Sequence, residues 1–72
     1  MINTADDLLT NIDFREFYRG LSPEQRMKVE EHVSDIGQDR GICRDFGINY
    51  KDPNMAQLRA VACYELGLLK EN

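Results

Sequence analysis

Chemistry in this chain would have to start from few side chains: one histidine, His32, two cysteines, Cys43 and Cys63, and thirteen carboxylates. A structural zinc site needs four closely spaced nitrogen or sulfur ligands. Here there is no Cys-x-x-Cys and no His-x-x-x-His, so no metal and no cofactor are expected. Neither a serine nor a cysteine stands in a fixed relation to His32, which removes the nucleophile and base pair of covalent catalysis. No catalytic residues are therefore nominated, and the chain is read as non-enzymatic. His32 flanks the apolar arc of its helix and reads as an edge-packed residue whose charge changes in the physiological range. Cys43 and Cys63, twenty residues apart, read as small apolar packing residues of a reduced cytosolic protein. A bridge between them requires a fold that brings them together.

The residue types present suit recognition better than catalysis. Arg40 projects into an arc of Val29, Val33, Ile36 and Cys43 if its helix is continuous, and a guanidinium there needs a carboxylate or anchors a partner. Arg59 sits in the same manner within the last helix. Gly37 and Gly41, one turn apart, make a notch at which a second helix, from this chain or a symmetry mate, can cross closely. Tyr18, Tyr50, Tyr64 and Met27 fall off the core arcs, where aromatic and methionine side chains serve as partner anchors.

These residues must be positioned by helices, since no alternation of apolar and polar residues is long enough for a strand. Thr4 caps a first helix, with Asp7 reaching back. Asp13 caps a second, with Glu16 at its third position and Ile12 and Phe17 as a hydrophobic staple. Ser22-Pro23-Glu24-Gln25 is the clearest start in the chain: serine caps, proline costs nothing at the first position, and glutamine completes the box. Apolar phase is kept through Gly37 and Gly41, which predicts one long helix over 22–46, although two interior glycines cost about 1 kcal/mol each. A connection at 48–54 ends at a cap on Asp52 or Asn54, and a last helix spans about 53–67 with Leu58, Ala62, Leu66 and Leu69 as its stripe. Gly20-Leu21, Gly47-Ile48 and Gly67-Leu68 each read as a left-handed helix stop followed by an aliphatic residue that folds back. The expectation is a single all-α domain over 1–72: two short N-terminal helices, a long central helix and a C-terminal helix.

Ala60-Val61-Ala62-Cys63-Tyr64-Glu65-Leu66-Gly67-Leu68 looks like the first helix and turn of a helix-turn-helix, with only Leu69 to Asn72 after it. The similar stretch at Cys43 to Ile48 is followed by a helix, which would make Met55 to Leu66 the recognition helix with Gln57 and Arg59 as base readers. Thirteen acids against nine bases, net charge -4, oppose that use, because phosphate neutralisation carries most nucleic-acid affinity. Direct nucleic-acid binding is thus not expected. Acids spaced from Asp6 to Asp39 could imitate a phosphate backbone, yet Arg26, Lys28, Arg40 and Arg44 are interleaved with them. No apolar run reaches membrane-span length and the N-terminus is acidic, so a soluble cytoplasmic protein without a membrane partner is expected.

A helix of about 25 residues runs roughly 37 Å, longer than a compact chain of this size covers. A homodimer seam of Val29, Val33, Ile36, Gly37, Arg40 and Cys43 is therefore expected, with Arg59 and Tyr64 as further partner contacts. The favoured reading is a small acidic interaction module, a regulator or inhibitor of a larger protein of unknown identity. Phage and mobile-element proteins, including inhibitors of nucleic-acid enzymes, share this size and acidity. The alternative is a degenerate helix-turn-helix transcription regulator.

Overall fold

Short polar side chains begin the helices of this chain, and the computed structural model, which describes residues 4–11 and 13–69, shows a cap in place at each start. The Thr4 hydroxyl accepts the Asp7 N–H at 3.1 Å ahead of α1 (Ala5–Asn11). Asp13 accepts from Glu16 N–H at 3.2 Å ahead of α2 (Phe14–Arg19); Ile12, the expected staple residue, lies outside the described residues. Both halves of the Ser22/Gln25 box form, at 3.0 and 3.1 Å, and open α3 (Pro23–Gly37). Asn54, and not Asp52, caps α5 (Met55–Glu65), its Oδ1 taking the N–H groups of Ala56 at 2.8 Å and Gln57 at 3.3 Å. The all-α class expected from periodicity is what the chain adopts.

Two of the three glycine stops have the expected geometry. Gly47 and Gly67 sit at φ +73° and +77°, and the N–H groups of Ile48 and Leu68 reach back to the carbonyls of Cys43 and Cys63 at 2.7 and 2.9 Å. Gly20 departs from that expectation. Its φ is −79°, because Ser22 already opens the next helix and the chain has no room to reverse.

The expected helix over 22–46 is interrupted. It is replaced by α3, a two-residue break at Gln38 and Asp39, and α4 (Arg40–Asp45). Asp39 takes an extended conformation (φ −103°, ψ 102°) and its side chain accepts the Ile42 N–H at 3.1 Å, starting a new helix. Two glycines weaken the continuous form, but the larger force is charge. Unbroken coiling would carry Arg40 into the core, at a cost of several kcal/mol for an unpaired guanidinium. The break turns Arg40 to solvent while Ile36 and Cys43 on either side stay fully buried. Cys43 Sγ donates to the Ile36 carbonyl at 3.3 Å across the gap.

The helix at the centre of the packing is α5. Leu58, Ala60, Val61, Ala62 and Cys63 are all buried, so it is apolar nearly all round, whereas the expected stripe residue Leu66 is exposed and Leu69 half-buried. Small side chains let both α1 and α3 lie close to it. Ala5 and Leu8 of α1 and Val29, Val33 and Ile36 of α3 complete the core with Phe14, Cys43 and Ile48. Ala5 N–H also donates to the Phe46 carbonyl at 2.8 Å, tying the start of α1 to the end of α4. The longest dimension is 29 Å and the radius of gyration 11.2 Å, the latter matching the roughly 11 Å of a compact chain this long.

The three glycine stops separate experimentally. Gly47→Ala and Gly67→Ala should each lower stability by about 1–2 kcal/mol, the cost of left-handed backbone with a Cβ. Gly20→Ala meets nothing nearer than 3.5 Å and should be neutral or stabilising by up to about 1 kcal/mol. Urea denaturation followed by circular dichroism reads all three.

Candidate functional site

The polar side chains divide into those that join helices and those that face outward. Glu30 is the principal joint. Its carboxylate on α3 accepts the Tyr18 hydroxyl of α2 at 2.7 Å and Arg59 Nε of α5 at 2.8 Å, while the Arg59 guanidinium also lies 5.8 Å from the Tyr18 ring centroid. The Arg59 hydrogen bond holds Glu30 below its ordinary pKa of 4.5. In the same arrangement Arg59 is pushed up by Glu30, and Tyr18 is raised by burial first and by its hydrogen bond to Glu30 second. Arg59 is thus a structural clamp in this chain. His32 and Glu65, 2.9 Å apart, join α3 to the end of α5. Gln57 donates to Asp6 at 2.7 Å and joins α5 to α1.

An open groove of about 500 Å³ lies beside the Glu30 joint. Its walls are Leu9, Phe14, Tyr18 and Ala56, with Asp13, Arg15 and Arg59 at the rim. On another part of the surface, α4 and the loop after it enclose a second open groove of about 520 Å³, lined by Arg40, Gly41, Arg44, Asn49, Tyr50 and Lys51. Three cations and no carboxylate line it. Arg40 and Arg44 share one face because they are four residues apart on α4. The loop is held by Ile48, which is buried, and by Asn49, whose Oδ1 accepts Lys51 N–H at 3.1 Å. The Arg40 guanidinium rests 5.0 Å from the Tyr50 ring centroid. Arg40, Arg44 and Lys51 make no ion pair among the described residues.

The residues nominated from sequence are distributed otherwise than expected. Val29, Val33, Ile36 and Cys43 are covered by this chain's own helices and do not form an exposed seam. Gly37 faces Leu58 of α5, so the helix crossing its notch belongs to the same chain, and a Cβ there would meet the Leu58 side chain at 3.8 Å. The interval from α3 to α4 also removes the long uncovered helix from which the homodimer seam was argued. Tyr64 is half-buried, edge-on to Phe46 with ring centroids 6.1 Å apart. Of the two arginines in that set, Arg40 is exposed and Arg59 is half-buried against Glu30. Arg44, Asn49, Tyr50 and Lys51 were missed as a group. The four-residue spacing of the arginines was readable; the loop that folds back onto them was not.

In the expected recognition helix of a helix-turn-helix, α5, residues Leu58 and Ala60 to Cys63 are buried, and Gln57 and Arg59 are engaged with Asp6 and Glu30. No family model matches the chain, and no curated protein or solved structure matches it. No described helix is long and apolar enough to cross a membrane.

Both cysteines are free and buried. Burial pushes the Cys63 thiol up to about 11, and Cys43 is raised by burial and then by Asp39. Because the thiolate is the reactive form, neither should react with Ellman's reagent at pH 8 in the folded protein, and both should react at once in guanidinium. The Glu30 joint has its own signature. A carboxylate whose pKa is lowered on folding adds stability above the unfolded value, near 4.5, and loses that contribution as pH falls further. Glu30→Gln should therefore melt below wild type at pH 7, by no more than about 1 kcal/mol for a pair this exposed, and the gap should narrow as pH falls below about 4.5. Melting curves across that range check it.

Proposed function

We propose that this chain is a non-enzymatic interaction module that regulates or inhibits a larger protein. One observation carries the reading: the Glu30, Arg59, Tyr18, His32 and Glu65 side chains are spent joining its own helices, while Arg40, Arg44, Lys51 and Tyr50 are presented together at a shallow, open groove. An open groove suits a macromolecular surface better than a small substrate, which is normally enclosed. Arginine and tyrosine are the side chains most often found as interface anchors. A cytoplasmic setting and a phage or mobile-element origin fit the size and acidity, and inhibition of a nucleic-acid enzyme is one form such regulation takes.

Affinity capture with the tagged full chain in cells of its source should recover a protein that co-elutes with it at fixed stoichiometry in size exclusion. The same column reads whether the chain associates with itself. Recovery of nucleic acid alone, with a salt-dependent shift of random duplex DNA, would replace this reading with the transcription-regulator alternative.

A further inference from the structure

We infer that the groove between α4 and the 48–54 loop is the docking site for a short acidic segment of a partner protein. The inference rests on the interaction-module reading and names the face and the chemistry of the partner. It follows from charge. The whole chain carries -4, yet the groove is lined by three cations, none of them in an ion pair among the described residues. The Arg40 guanidinium lies 5.0 Å from the Tyr50 ring centroid, within cation–π range, which favours its holding a position over the ring before a ligand arrives. Arginine presents a planar fork matched to carboxylate oxygens, and two such forks four residues apart on one helix face accept two carboxylates from an extended segment. Lys51 supplies a third positive charge from the opposite wall, on a loop held by Asn49 and by buried Ile48. Preorganisation of this kind lowers the entropy lost on binding.

Length distinguishes an acidic peptide from a nucleic acid. Asp39, Asp45 and Asp52 stand in the chain immediately beside Arg40, Arg44 and Lys51, so the 39–52 segment as a whole is neutral. A phosphate backbone continuing past the groove runs along a surface of net negative charge, and three neutralised phosphates release too few counterions to hold it. A peptide with a few carboxylates ends where the cations end.

The test is a titration of the ¹⁵N-labelled full chain with a capped decapeptide of alternating glutamate and glycine at low salt, its glutamine counterpart and a thymidine decanucleotide serving as comparisons. Amide shifts should be confined to residues 40–44 and 49–51 and appear with the glutamate peptide only. Arg40→Ala/Arg44→Ala should weaken binding at least tenfold, Tyr50→Ala should weaken it less, and Tyr50→Phe should restore it. Arg15→Ala/Arg26→Ala removes the same charge elsewhere and should bind as wild type; all variants are first shown to melt cooperatively. Equal loss in both double variants, shifts at the Leu9 and Tyr18 groove, tighter binding of the oligonucleotide at the same residues, or no binding overturns the assignment. A captured partner that Arg40→Ala/Arg44→Ala retains as well as wild type overturns this site and leaves the interaction-module reading standing. Capture of no protein overturns that reading itself.

Discussion

An α-helix that is apolar on nearly every side must be wrapped, and the wrapping of α5 is the constraint on which this fold depends. Ala60, Val61, Ala62 and Cys63 are four consecutive buried residues, so no single packing face suffices. In a chain of 72 residues, the covering apolar surface comes from α1 and α3 together with Phe14 of α2, Cys43 of α4 and Ile48 of the loop after it. Their small side chains make the solution workable, since helices approach most closely where little protrudes. Each of the polar joints, Glu30 with Arg59, His32 with Glu65 and Asp6 with Gln57, spans α5 and one of its covering helices. They hold the wrapping in register at the surface, where exposed ion pairs are individually weak.

The interruption between α3 and α4 follows from that wrapping. α3 is about 22 Å long at 1.5 Å per residue, which suits a molecule 29 Å in its longest dimension. Further coiling in the same phase would extend α3 and keep Arg40 on the core-facing side that Val29, Val33 and Ile36 occupy. Asp39 resolves both conflicts by ending one set of backbone hydrogen bonds and capping the next. As a consequence, the redirected α4 brings Arg40 and Arg44 to one groove with Tyr50 and Lys51.

A division of labour among the side chains results. Groups that could support chemistry are neutralised by one another or raised by burial: Glu30 is held ionised by Arg59, and the thiols of Cys43 and Cys63 are shifted toward the unreactive form. Cations and an aromatic ring remain at one open groove. On the proposed reading, such a surface acts by steering and complementarity, which set the encounter rate and the choice of partner.

What the amino-acid sequence determined by itself is local. Thr4, Asp13 and Ser22 with Gln25 were legible as helix starts because a short side chain satisfies backbone donors within three residues of itself, while the last helix's cap stayed open between Asp52 and Asn54 until the structure chose Asn54. Gly47 and Gly67 were legible as stops because left-handed backbone strongly favours glycine, and the absence of strand periodicity sufficed for the all-α class. Asp39 carried the same kind of signal, but it went unread behind the unbroken apolar phase from Val29 to Cys43. Only the tertiary structure decided that Val29, Val33, Ile36 and Cys43 belong to the chain's own core, that Arg59 is clamped by Glu30, and that Arg40 faces solvent over Tyr50. The reason is physical: periodicity states that a face must be buried but not against what. The partner of a charge lies tens of residues away, chosen by which packing leaves no guanidinium stranded in the core.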